Sequence, residues 1–185
     1  MSDSLAGRLL IATLNLTDPN FFRTVILMCL HDENGAMGLV LNRPLANEGV
    51  EEHLPQFARH VAEPPVVFQG GPVEPSAALV LGRYKEWLIT PTPNRVVGRV
   101  GLIDLAKPPE ELDGAVEEIR VFAGYSGWGA GQLEREIEEE AWFVVDADPD
   151  DAFSRDPEML WRNILKRQPG RLAMFAYAPK DPQVN

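Results

Sequence analysis

Apolar residues fall in short runs that alternate with Gly-, Pro- and Asp-bearing breaks. Arg8 to Thr13 (RLLIAT) reads as a short strand. Asp18-Pro19 pairs an N-cap acceptor with a residue of preset φ and predicts a single helical turn through Phe22. Thr24 to His31 and Ala36 to Asn42 flank Asp32-Glu33-Asn34-Gly35, whose Asn-Gly predicts a hairpin. Val25 to Leu30 is apolar throughout, as in a central strand covered on both faces. Val66 to Gln69, Ala77 to Leu81, Glu86 to Thr90 and Val96 to Leu105 follow as strands. Their close spacing predicts antiparallel pairing rather than βαβ crossovers.

Helical spacing is scarcer and concentrates late in the chain. Val50 to Val61 has a helical period broken by Pro55, and Pro109 to Val116 is a short helix candidate. Glu118 to Ala123 alternates as a strand. Ala130 to Glu140 carries the clearest helical pattern, with Ala130, Leu133 and Ile137 inward and Glu134, Glu138 and Glu139 outward. Ala141 to Val145 is a strand. Asp156-Pro157 opens a last helix with Leu160, Trp161, Ile164 and Leu165 inward and Pro169-Gly170 beyond its end. The sum is one α+β domain over residues 1–185, a mainly antiparallel, bent sheet or distorted barrel with three or four helices. Met1 to Ser4 and Pro179 to Asn185 have little to bury and are expected to be flexible.

Composition narrows function more than fold. The chain has 28 Asp and Glu against 17 Lys and Arg, a formal charge of −11. Such a surface repels phosphate backbones unless a basic stripe interrupts it. The densest basic group, Arg162, Lys166, Arg167 and Arg171, is thin, so direct nucleic-acid binding is disfavoured. Cys29 is the only cysteine, which leaves no intrachain disulfide and no thiolate zinc cage. The longest apolar run, Val25 to Leu30, is far below the ~20 residues of a membrane helix. No signal-peptide pattern opens the chain. A cytoplasmic protein without cofactor is expected.

The most distinctive stretch is Gly124 to Glu136 (GYSGWGAGQLERE), read as a strand–turn–helix junction. Backbone N–H groups converge at such junctions and attract anions. Gly70 and Gly71 can join Gly124 to Gly131 around one pocket, with Tyr125 and Trp128 as a stacking surface and Gln132 as a polar contact. Asn42 and Arg43 can add a basic group, whereas Glu134 and Glu136 weaken an anion site. The competing reading makes the glycines turn and packing devices and both aromatics core.

Other candidates are less complete. Ser126 partly fits a nucleophile elbow, but Trp128 takes the place of the second glycine. Cys29 and His31, two apart on a strand, should share a face with Cα atoms roughly 6.5 Å apart, too parallel for a thiolate–imidazole pair. His53 and His60 lie seven apart on a possible helix and do not make a ligand pair. Asp146, Asp148 and Asp150 imitate the start of a calcium loop, yet Asp151 and Pro157 occupy its glycine and glutamate positions.

Several pieces in order resemble the YqgE/AlgH family of small bacterial proteins: Leu10 to Thr13, Asp18-Pro19 with Phe22-Arg23, His31 to Gly38, Leu41-Asn42-Arg43-Pro44, Gly70-Gly71-Pro72, and Gly124-Tyr125 through Glu134, with Trp142 following. The resemblance implies an α+β fold with an antiparallel sheet or distorted barrel, and supplies no established catalytic residues. Some members are labelled transcriptional regulators, but this chain has no helix-turn-helix pattern and the wrong charge for DNA. The leading expectation is a non-enzymatic protein that binds a small molecule or protein partner with regulatory effect. Its alternatives are a hydrolase using Ser126, or a carboxylate with His31, and a transcriptional regulator acting directly or indirectly.

Overall fold

The computed structural model describes residues 4–86 and 94–180. Three strands, β1 (Arg8–Ala12), β2 (Val25–Asp32) and β3 (Gly35–Val40), open the fold as an antiparallel meander. Next come β4 (Pro44–Gly49), α1 (Val50–His53), a 3₁₀ turn at Pro55–His60, β5 (Val66–Gln69) and the long β6 (Val73–Tyr84). After β7 (Arg95–Val97), β8 (Val100–Leu102) and α2 (Pro109–Ala115), the longest strand, β9 (Val116–Gly129), crosses the molecule. The chain ends with α3 (Gln132–Glu138), β10 (Trp142–Asp146), 3₁₀ turns at Pro149–Phe153 and Pro157–Met159, α4 (Leu160–Lys166) and α5 (Leu172–Phe175).

Eight strands run in the order β10-β1-β2-β3-β9-β6-β8-β7, and β4 and β5 attach beside β9. The sheet curls into a half-barrel. A Cβ built on Gly7 would lie 2.7 Å from the Val96 carbonyl oxygen, so the β7 edge curls back to the chain entering β1. Strand alternation sorts the core. Val25, Leu27 and Cys29 of β2 point into the cluster that holds Trp161, Ile164 and Leu165 of α4, while Ile26 and Met28 pack on the other face with Trp128, Leu133 and Trp142. A third cluster gathers Val50, Phe57, Leu112 and Ile119. Each fully buried side chain of this size contributes roughly 1.5–3 kcal/mol, so covering both faces of β2 makes it the anchor of the sheet.

The Asn-Gly hairpin, the Pro-broken helical stretch near residue 55 and the inward face of the last helix all form where the pattern places them. Other features depart from it. The glycines from 124 to 129 do not turn: they continue β9, pairing Gly127 with Met37 and Gly129 with Gly35, and the turn is confined to Ala130-Gly131. Ala130 is consequently exposed rather than part of the buried stripe. The run 96–105 splits into β7 and β8 at Gly98, and the strand expected at 86–90 lies outside the described residues beyond Glu86. Against the antiparallel expectation, β5 pairs parallel with β9. Five short α-helices form among the described residues, two of only four residues.

Candidate functional site

The glycine pairs meet as packing. A Cβ on Gly70 would lie 2.3 Å from the Gly124 oxygen, and one on Gly71 2.2 Å from the Tyr125 carbonyl carbon. Backbone thus rests on backbone, and both glycines are buried. Ser126 is buried alongside and its hydroxyl donates to the Gly70 carbonyl at 3.2 Å. Tyr125 is half-buried against the inner core. Trp128 faces the other side of the sheet, where its ring packs with Phe21 and Trp142. Its indole N–H donates to Glu136, which also accepts from Trp142 and from Gln132. Gln132 turns its carbonyl back to the Gly129 N–H. The structure therefore unites Gly70, Gly71, Tyr125 and Ser126, separates them from Trp128 and Gln132, and leaves Asn42 and Arg43 in a third place.

Nor does the fold assemble Ser126, Cys29 and His31. The ladder shifts register between Met28 and Leu30, so Cys29 is the bulged residue. That extra residue turns Cys29 into the inner core and His31 to the outer face, correcting the expectation that they share a side. His31 Nδ1 accepts the Leu5 N–H, which places the ring proton on Nε2, donated to Glu134 at 2.9 Å. The carboxyl of Glu134 is held below the usual range by its own backbone N–H and then by His31. His53 and His60 bond different carboxylates, Glu48 and Asp113. Asp148 and Asp151 form a capping box, while Asp146 and Asp150 pair with Arg8 and Arg83. Among the described residues no three His, Cys, Asp or Glu side chains converge to hold a metal ion.

Burial pushes the Cys29 thiol up to about 12. At neutral pH it holds almost no thiolate, the reactive form. A thiol reagent is expected to leave native protein unmodified and to label Cys29 fully in denaturant; equal labelling in both would contradict the placement.

The site with chemical character lies at the other end of β2. The turn begun by Asp18, whose carbonyl accepts the N–H groups of Phe21 and Phe22, delivers Arg23 in a left-handed conformation at φ 54. Non-glycine residues held there carry strain and concentrate at functional positions. The Asn42 side chain fixes this entry on both sides, accepting from Val25 N–H and donating to the Arg23 carbonyl, each at 2.9 Å. Arg43 follows, one Nη2 contact holding the Phe22 carbonyl at 3.0 Å. The Arg23 guanidinium lies 4.7 Å over the Trp161 ring and donates to the carbonyls of Ala178 and Pro179. Among the described residues its buried Nε has no hydrogen-bond partner.

These residues, with Arg162, Lys180, Met159 and Glu158, line a cleft of about 340 Å³. Four cations converge there. Among the described residues none of Arg23, Arg43, Arg162 and Lys180 has a carboxylate oxygen within 4.0 Å, although Glu158 lines the same cleft. Burial, and then the charge of Arg162, lower the pKa of Arg23. Burial lowers that of Arg43 as well, opposed by nearby Asp18. Arg23 and Arg162 thus face each other across the cleft as like charges.

The AlgH-like family model matches residues 9–173, nearly the whole described chain. This chain belongs to that family. A UPF0301 protein of Streptomyces coelicolor is 50% identical over 98% of this chain and 96% of its own length. One from Mycobacterium tuberculosis is 43% identical over 95% and 88%. Among solved structures, protein DIP2367 of Corynebacterium diphtheriae superposes with a TM-score of 0.87 at 28% identity, covering 94% of this chain and 92% of that one. The AlgH protein of Pseudomonas aeruginosa gives 0.69 at 28%, covering 98% and 97%.

In this AlgH-like chain the family match spans Arg23, Arg43 and Arg162 and stops short of Lys180. Guanidinium forks suit carboxylate and phosphate oxygens, and Trp161 and Phe22 add flat apolar walls. Among the described residues the cleft holds no positioned nucleophile, and the one carboxylate that lines it, Glu158, is exposed. What it can do is bind and orient an anion. Sequence reasoning reached Asn42 and Arg43 but not their partners. The available signal was local charge, since six basic residues against two acidic ones lie between Arg155 and Lys180 in a chain of net −11.

Proposed function

We propose that this protein is a non-enzymatic binding protein that takes a small anionic ligand in the cleft of Arg23, Arg43, Arg162 and Lys180, with a regulatory consequence for its partners in the cytoplasm. One observation carries the reading: four cations line one cleft and, among the described residues, none of them makes an ion pair, in a chain with an excess of carboxylates. Unpaired like charges cost stability that a bound anion restores. A thermal-shift series with simple anions at constant ionic strength tests it. At least one anion is expected to raise the melting temperature of the wild type, and a chain carrying both Arg43→Gln and Arg162→Gln should lose most of that gain. Equal responses in the two proteins, or a flat response to every anion, would remove the reading.

A further inference from the structure

We propose that the ligand of the basic cleft carries a terminal phosphate, as a phosphate monoester or a diphosphate, rather than a carboxylate. The inference rests on the reading above that the cleft binds an anion, and deepens it to a chemical class.

Charge comes first. Burial, and then the charge of Arg162, disfavour the protonated form of Arg23, and Arg43 and Lys180 line the same cleft. A monoanion leaves most of that repulsion in place. A phosphate monoester brings about −1.5 to −2 at neutral pH on three terminal oxygens, each able to accept more than one donor. Donor supply comes second. Arg43 uses only Nη2, on the Phe22 carbonyl, and Arg23 only Nη2, on Ala178 and Pro179, while Arg162 and Lys180 have no side-chain hydrogen bond among the described residues. A planar carboxylate fits one such fork; a tetrahedral group can be shared among several.

Size and walls limit the rest of the molecule. About 340 Å³ exceeds what one phosphate fills and sits at the small end of ligand pockets. Phe22 and Met159 offer apolar surface for an organic portion, and Glu158 offers an acceptor for a hydroxyl or amine. A polymer of phosphates is a poor fit, because the remaining surface is strongly acidic and would repel its flanks. A soluble phosphorylated compound and a lipid headgroup ending in a phosphate monoester share this chemistry.

Calorimetric titration of the full chain with inorganic phosphate, pyrophosphate and malonate, at fixed ionic strength, tests the class. Pyrophosphate is expected to bind best, and malonate at least about tenfold more weakly, as one or two lost charge-assisted bonds would require. Arg162→Gln should weaken pyrophosphate by about tenfold or more. Among the described residues this side chain makes no hydrogen bond, so the variant should fold, and circular dichroism checks that it does; Lys180→Gln is the second variant. Flotation with phosphatidylcholine vesicles, with and without phosphatidic acid, separates the sources. Recruitment by phosphatidic acid that pyrophosphate reverses assigns the phosphate to a headgroup, and its absence alongside pyrophosphate binding assigns it to a soluble ester. Malonate equalling pyrophosphate, or either variant binding like wild type, overturns the phosphate assignment while anion binding stands. No binding of any anion removes both.

Discussion

Replacing Gly71 by alanine is expected to leave little folded protein. The added Cβ would sit 2.2 Å from the Tyr125 carbonyl carbon, 2.3 Å from its oxygen and 2.4 Å from the Ser126 nitrogen. These are backbone atoms of β9, the strand that pairs with β3, β5 and β6, so none can move aside cheaply. The backbone at Gly71 also has φ 154, where side chains are rarely found. Its neighbour Gly70 donates to Ala123 and accepts from Val40, lacing β3 to β9 at the same crossing. A loss above about 4 kcal/mol is expected, out of a total that is typically about 5–15. Soluble yield and urea unfolding read the outcome. Gly114→Ala serves as the control: it lies in α2 with nothing within 4 Å of its Cβ, and should gain about 0.5–1 kcal/mol. A Gly71→Ala protein as stable as the wild type would show that the crossing is looser than described.

Glu136→Ala is the second large effect. One carboxylate oxygen accepts both indole N–H groups, from Trp128 at 2.9 Å and Trp142 at 2.8 Å, and the other accepts from Gln132 at 2.9 Å. The two rings meet edge to face at 6.1 Å and are 7% and 3% exposed. Truncation leaves both donors with poor access to water. Each orphaned buried donor costs about 1–3 kcal/mol, and together about 2–4 is expected, a fall of several degrees in melting temperature. Tryptophan emission should shift with it as the cluster loosens. Glu136→Gln keeps an acceptor oxygen and should lose clearly less. If glutamine costs as much as alanine, charge rather than hydrogen bonding holds the cluster; if alanine costs nothing, α3 does not depend on it.

These effects locate what the sequence makes legible. Alternation and turn chemistry were enough for β1, the β2–β3 hairpin and the inward face of α4, because there local preference and burial agree. The glycine-rich stretch misleads for the opposite reason. Glycine signals a turn locally, yet in β9 it serves close approach: Gly70 and Gly71 need room against β9, and Gly35 lies against Trp128. β4 is hidden because no residue from Pro44 to Gly49 is fully buried and the strand pairs with β5 only at its two ends. The bulge at Cys29 that separates the thiol from His31 leaves no mark in composition at all. The basic cleft is assembled from residues as distant as Arg23 and Lys180, so only its charge, never its geometry, can be read along the chain.

The most direct measurement is an amide-resolved NMR titration of the whole protein with pyrophosphate. Shift changes are expected to concentrate at Phe22 to Val25, at Asn42 and Arg43, and at Met159 to Arg162. Gly124 to Gln132 should stay unchanged, since that stretch packs backbone against backbone. Changes centred on Gly70, Gly71 and Tyr125 instead, or no changes anywhere at saturating ligand, would contradict a cleft in which Arg23 and Arg43 await an anion.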